Sequence, residues 1–323
     1  MKYRKFGRTG LEVSDIAHGL WGMGGWSGSD DAASLNALQL ATDLGCNFFD
    51  SAWAYGDGKS DSLLGQTIAR NQGKRLYAAS KIPPKNLRWP ALPNYKYHEV
   101  FPPEHVFKYA DLIRKQLGTD SIDLLQFHVW SDHWSDEPDF RKTVEKLKRN
   151  GIIRFFGLSL NRWEPENGIR AIRTGLVDAV QVIYSIFDQS PEDELFPVCR
   201  ELNIGVIVRV ALDEGSLGGK MTRETRFPKD DWRSRYFNPK NLASTLERVE
   251  KIRQILPPGM SLPEAALRFV LSHPAVSTTI VGMRKPEHVR ENISCSDKGP
   301  LPAGLLEELK RHRWDRKPAP WSD

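Results

Sequence analysis

Short apolar runs rich in β-branched residues alternate with amphipathic helical stretches along nearly the whole chain, and this alternation restricts the fold more than any other feature. After a small N-terminal β-hairpin over Tyr3–Val13, strands are expected near Ile16–Gly19, Asn47–Asp50, Leu76–Ser80, Ile122–Phe127, Ile153–Leu158, Ala179–Ile183, Gly205–Val210 and Ser277–Val281. Helical segments such as Asp31–Leu44, Pro103–Leu117, Phe140–Asn150 and Pro263–Leu271 lie between them. Gly45, Gly118, Gly151, Gly175 and Asn203 stand just past helix ends, where a left-handed residue is favoured. Eight β-then-α units predict a closed (β/α)8 TIM barrel, a single domain over residues 1–323. An open dinucleotide-binding sheet would instead need G-x-G-x-x-G directly after its first strand. Here Gly22-Met-Gly24 is followed by Ser27 at the third-glycine position, and the segment runs into a loop ending at an N-cap, Ser29 or Asp30. The doubly wound alternative is rejected.

A chain of 323 residues suits one large barrel or two ordinary domains, so the alternation has to decide. The basic start is followed by no apolar h-region, and no stretch approaches the roughly 18 to 20 apolar residues of a membrane span. No membrane association is therefore expected. Cys46, Cys199 and Cys295 are odd in number and lack C-x-x-C spacing. That argues against a disulfide framework or a thiolate metal site and for a reducing, cytoplasmic setting. The net charge of +5 comes from cations interleaved with acids, as in Arg141-Lys-Thr-Val-Glu-Lys-Leu-Lys-Arg149. This reads as a solvated helix face, with no nucleic-acid partner. The positive excess also suits an anionic cofactor.

Polar residues recur at the C-terminal ends of the strands. Asp50 ends the second, Lys81 follows the third, His128 the fourth and Ser159 the fifth; Gln181 lies on the sixth and Arg209 on the seventh. Polar groups on that rim of a barrel read as chemistry. Two long connections, about Ile82 to Pro102 and Leu212 to Asn238, also follow strands and so add to the same face. Asp50 and Asp57 could be proposed as a carboxylate pair, but the set lacks the multiple acids of a glycosidase. His128, Asp132 and His133 have no periodicity to align them on a metal. Tyr55 near Lys81 makes sense as a proton donor. An ammonium lowers a phenol's pKa from about 10, Asp50 keeps that ammonium charged, and a neutral His128 orients a carbonyl oxygen.

These residues make the chain resemble an aldo-keto reductase from end to end. The resemblance rests on Tyr3-Arg-Lys-Phe-Gly-Arg-Thr-Gly-Leu-Glu-Val13 and Phe48-Phe-Asp-Ser-Ala-Trp-Ala-Tyr-Gly56, with Ser60-Asp-Ser-Leu-Leu-Gly65 after them. Ser80-Lys81 and Asp123-Leu-Leu-Gln-Phe-His128 complete it. It implies a catalytic tetrad of Asp50, Tyr55, Lys81 and His128 and hydride transfer from NADPH/NADP+, or from NADH/NAD+. It assigns the nicotinamide carboxamide to Ser159, Asn161 and Gln181, with Arg209 where many members stack an aromatic on the ring. A guanidinium there would disfavour the cationic, oxidised cofactor. Leu212, Gly215 and Leu217 resemble the loop over the pyrophosphate. Gly282, Arg284, His288, Glu291 and Asn292 resemble the segment around the adenosine, with Arg284 placed for a 2′-phosphate. Three departures stand out: Leu160 separates Ser159 from Asn161, Arg209 replaces the aromatic, and His288 replaces a more usual Gln or Arg.

Trp21, Trp26, Trp53, Trp89 and Trp130, with Trp134, are the candidate substrate walls, drawn from ten tryptophans in all. Indoles offer flat apolar surface with one N–H donor, which suits a sugar-like or aromatic carbonyl or alcohol. Three functions follow: a carbonyl reductase, the same fold run oxidatively on a sugar or polyol, and a cofactor-binding regulatory subunit without turnover. The sequence leaves the oligomeric state open.

Overall fold

Ten strands form where the β-branched runs lie, and eight of them close on themselves. The computed structural model describes residues 1–26, 28–229 and 231–316; Ser27 and the last seven residues of the expected domain lie outside the described residues. Strands β1 (Tyr3–Lys5) and β2 (Glu12–Ser14) make the antiparallel hairpin. The barrel strands are β3 (Ile16–Gly19), β4 (Phe48–Asp50), β5 (Tyr77–Ile82), β6 (Ile122–Phe127), β7 (Ile153–Ser159), β8 (Ala179–Ile183), β9 (Gly205–Arg209) and β10 (Thr278–Gly282). All eight run parallel in chain order, and β10 closes the ring by pairing with both β9 and β3. The chain is a (β/α)8 barrel.

The helix ends are set by local chemistry. Asp30 caps helix Asp31–Asp43 by accepting from Ala33 N at 2.6 Å, so of the two expected caps Asp30 is the one used. Gly45, Gly118, Gly151, Gly175 and Asn203 all have positive φ, the left-handed geometry that stops a helix. The two long connections contain short helices, Tyr97–Val100 in the first, and Asp213–Gly218 (3-10) and Arg233–Tyr236 in the second.

The core has two layers. Phe48, Ala79, Leu124, Ala179 and Ile207 fill the barrel interior, and the hairpin plugs its N-terminal end with Phe6, Leu11 and Val13. A Cβ at Gly205 would lie 2.8 Å from the Phe6 ring, so a glycine there admits the plug. A larger shell between strands and helices seals the outside. With the bottom closed, the open end of the barrel is the C-terminal face.

Candidate active site

Strand register brings Asp50 and Lys81 together. Asp50 pairs with Ala79 across β4 and β5, and Lys81 lies two residues further along the same face of β5. Lys81 was expected just after this strand and in fact sits inside it. Its Nζ donates to Asp50 Oδ2 at 2.5 Å and to Ser51 O at 2.7 Å, with both side chains sealed from solvent at 0 and 1 % exposure. Burial pulls the Lys81 pKa down, but the Asp50 charge and the neighbouring Tyr55 outweigh it, so the ammonium is held above its ordinary pKa. Gln181 and Gln126 donate to Asp50 Oδ1 at 2.8 and 3.4 Å. Gly157 leaves room for this, since a Cβ there would come within 3.1 Å of Gln126 Cγ.

Tyr55 lies in the turn after β4. The Lys81 ammonium is 5.2 Å from its ring centroid. His128 meets the ring edge-on at 5.7 Å, and Trp26 does so at 6.3 Å. Positive φ at Gly56 lets this turn press against the first loop, because a Cβ there would sit 2.1 Å from Gly24 O. Burial raises the Tyr55 pKa more than Lys81 and Arg209 lower it. Lys81 does pull the phenol's pKa down as expected, but desolvation outweighs it, so the net shift is upward and the phenol keeps its proton at neutral pH. Burial, then the charges of Lys81 and Arg209, push His128 well below its usual pKa, so its ring is neutral. Among the described residues its buried Nδ1 finds no hydrogen-bond partner.

A cleft of about 410 Å³ opens from this cluster, lined by Asp50, Tyr55, Gln181 and Arg209 and by the turn after β9. Leu212, Gly215, Gly282 and Arg284 line it as well, while Leu217 is buried in the core. Four arginines line it, Arg162, Arg209, Arg233 and Arg284. Arg162 pairs with Glu214 at 2.6 Å. A second groove of about 640 Å³ lies beside Gly218, Gly219 and Lys220 and includes Glu291 and Asn292. His288 Nε2 is 3.2 Å from Lys220 Nζ, and burial followed by that ammonium lowers its pKa. The donor set fits a dinucleotide. Clustered guanidiniums match phosphate charge, and buried polar atoms without partners, Arg209 Nε and His128 Nδ1, mark places for a ligand's hydrogen bonds.

Ser159 ends β7 in register with Gln181. Asn161 turns elsewhere. Its amide donates to Ala91 O at 3.0 Å and to Glu164 Oε2 at 2.8 Å, tying the Ile82–Pro102 connection to the loop after β7. Arg209 donates to Leu160 O at 3.1 Å, and burial, then Arg162, lower its pKa to about 10. Trp21 lines the cleft and packs on Trp26 at 5.6 Å, and Trp89, 43 % exposed, meets His128 edge-on at 5.8 Å. Trp53 packs on Tyr109 instead. Trp130 is a correction: it and Trp134 are fully buried, packed on each other with Trp130 against Phe140 and Trp134 against Tyr97 and Phe101, so they pack a loop onto the barrel. His128 and His133 also part, since His133 bonds Ser131 Oγ and Tyr95 O. Sequence reasoning passed over Arg162, Glu214, Trp232 and Arg233, all of which line the cleft. Arg162 directly follows Asn161, and the others lie in the second long connection, so position after a strand was the available signal.

Known proteins share this sequence pattern and fold. The chain matches the Aldo/keto reductase family over residues 15–313 and belongs to that family of NAD(P)H-dependent oxidoreductases. It is 30% identical to the aldo-keto reductase YhdN of Bacillus subtilis, covering 88% of this chain and 86% of that protein. It is 26% identical to the NADH-specific methylglyoxal reductase of Escherichia coli, covering 91% and 93%. The solved glycerol dehydrogenase AKR11B4 of Gluconobacter oxydans superposes with a TM-score of 0.78 at 26% identity, covering 99% and 98%. No helix among the described residues is long and apolar enough to cross a membrane.

Proposed function

We propose that the chain reduces an aldehyde or ketone to its alcohol with NADPH, with Tyr55 giving the proton. One observation carries the reading: a protonated, raised-pKa phenol stands between a buried ammonium and a neutral imidazole on the wall of a cationic cleft. A nicotinamide bound in that cleft would supply the hydride. Negative charge then gathers on the carbonyl oxygen, and Tyr55 meets it with a proton. Lys81 stabilises the phenolate left behind, Asp50 holds Lys81 charged, and neutral His128 donates to the carbonyl oxygen without adding a third cation. Ser159 and Gln181 are the groups at the end of the barrel for the carboxamide. Arg284 is assigned the 2′-phosphate, and Glu291 and Asn292 the adenine. Trp21, Trp26 and Trp89 form an aromatic mouth suited to an aromatic or sugar-like carbonyl.

The buried charge of Arg209 favours reduction over the oxidative use of the same site, because it opposes a cationic nicotinamide. The complete tetrad weighs against a regulatory subunit that only holds cofactor. Tyr55→Phe keeps the ring and removes the hydroxyl. It should bind NADPH normally in a fluorescence titration and lose at least about 10²-fold in kcat on the best substrate of a carbonyl panel. Near-wild-type turnover in that variant would refute the mechanism.

A further inference from the structure

The chain doubles back at its end to bury a cation behind the cleft. After helix Ala303–Lys310, Arg313 forks onto Asp193 at 2.8 and 2.6 Å, and Trp314 N donates to Phe187 O at 2.8 Å. These contacts lead Arg316 inward to 7 % exposure. There its guanidinium meets Asp188, from the connection after β8, and Asp213 at 2.6 Å, from the turn after β9. It also donates to the Tyr236 hydroxyl at 2.5 Å. Burial opposes the Arg316 charge, but Asp213 and Asp188 overcome it and hold the guanidinium above its ordinary pKa. A buried charge cluster of this kind is a poor source of stability compared with apolar packing, so its geometry calls for another explanation.

The turn it grips is one the backbone resists. Val210, Asp213 and Glu214 have φ of 61, 46 and 54°, three non-glycine residues in the left-handed region within five positions. For a β-branched residue such as Val210 this is a true outlier, and such geometry persists only where surrounding contacts over-determine it. The Asp213 carboxylate faces back, taking Arg316 on one oxygen and Ser216 Oγ at 2.5 Å on the other. Its neighbours Glu214 and Gly215 face the cleft. Arg316 does not line the cleft.

We infer that Arg316 is a positioning residue: acting from behind through Asp213, it locks the turn Asp213–Gly218 in the shape that covers a bound dinucleotide. The inference rests on reading the cleft as the cofactor site. The rival role is a tail anchor, and the two predict different losses. An anchor, when cut, frees helix Ala303–Lys310 and leaves the turn alone. A lock, when cut, frees the turn and weakens cofactor binding while leaving the chemical step intact.

The test uses the full chain with Arg316→Met and Arg316→Lys, read by amide hydrogen exchange and by fluorescence titration of NADPH. In Arg316→Met, exchange across Asp213–Gly218 should accelerate tenfold or more with the barrel strands unchanged. The NADPH Kd should rise at least tenfold, while kcat at saturating cofactor stays within twofold. Arg316→Lys, which keeps a cation but not the fork, should fall between. If Arg316→Met does not fold, Arg316→Met with Asp188→Asn removes one of the two stranded carboxylates and is held to the same outcome. Unchanged exchange in the turn, an unchanged Kd, or a kcat that falls as far as Kd rises would each overturn the inference. The exchange measurement needs no cofactor. A wild-type chain that binds no nicotinamide dinucleotide would sink the cofactor reading while exchange still judges the lock.

Discussion

Asp61 is the sharpest test of how this site is wired, because its cost can be worked from the structure. It lies in the first turn of helix Lys59–Arg70, fully buried, accepting from Ser80 Oγ at 2.8 Å through Oδ1. Among the described residues its Oδ2 has no partner. Burial is the main cause raising its pKa from 3.8 to about 6, against the help of Ser51, Ser80 and Lys81. The folded pKa is above the unfolded one, so folding is favoured below pH 3.8 and that advantage is lost as pH rises through about 6. At about 1.36 kcal/mol per pH unit, the ionised form costs about 3 kcal/mol at pH 8. Asp61→Asn cannot titrate. Whatever fixed loss its amide brings by leaving donors unmet, about 1 to 3 kcal/mol, the variant must gain on the wild type as pH rises. Urea unfolding followed by tryptophan fluorescence at pH 4 and pH 8 should show the difference in stability moving in the variant's favour by about 2 to 3 kcal/mol. A difference constant to within about 0.5 kcal/mol would refute the assignment of a buried, raised-pKa acid beneath Lys81.

Arg284→Ala should cost about 1.5 to 3 kcal/mol in NADPH affinity and leave NADH affinity nearly unchanged; equal losses in titrations of both would show that the residue serves something they share. Lys81→Met strands a buried carboxylate and should lose about 3 to 5 kcal/mol of stability along with turnover. Adding Asp50→Asn to it should recover part of that stability in denaturant unfolding, and a double variant as unstable as the sum of the singles would show that the two groups do not act as a pair.

The fold was legible because the barrel is built from local signals repeated in order. Strands Ile122–Phe127 and Ala179–Ile183 fall where the apolar runs lie, and helix Pro103–Leu117 begins at its proline and stops at Gly118. Strand ends were less clear where a polar residue belongs to the strand. Lys81 was placed just beyond β5, but its register opposite Gln126 and its ion pair with Asp50 keep it inside. The tetrad was legible through its motif. The fates of Asn161 and Trp130 were not, since only the folded loops show Ala91 meeting the amide and Phe140 covering the indole. Arg316 had no signal at all: its carboxylate partners are 128 and 103 residues away, and the Tyr236 hydroxyl 80.

The two ends of the barrel meet several of their buried polar groups differently, and the difference bears on what is support and what is site. At the N-terminal end, Asp123 takes Arg75, Arg154 at 2.7 Å and Ala78 N at 3.1 Å. Asp178 there takes Arg8, Lys148 at 2.5 Å and Phe156 N at 2.9 Å. Each carboxylate is met on both oxygens by cations and a strand amide, which stitches neighbouring β/α units and leaves little for a ligand. At the C-terminal end the buried groups are met only in part. His128 Nδ1, Arg209 Nε, Gln126 Oε1 and Trp26 Nε1 are all buried, and none has a partner among the described residues. Each such atom costs about 1 to 3 kcal/mol if nothing meets it. Unmet buried atoms also occur elsewhere among the described residues, as at Asp15 Oδ1, Tyr97 Oη, Arg114 Nε and Thr245 Oγ1. What sets these four apart is their neighbourhood: Gln126 bonds Asp50, and the His128 and Trp26 rings meet Tyr55, so a ligand that supplied the missing partners there would gain binding the folded protein cannot satisfy by itself.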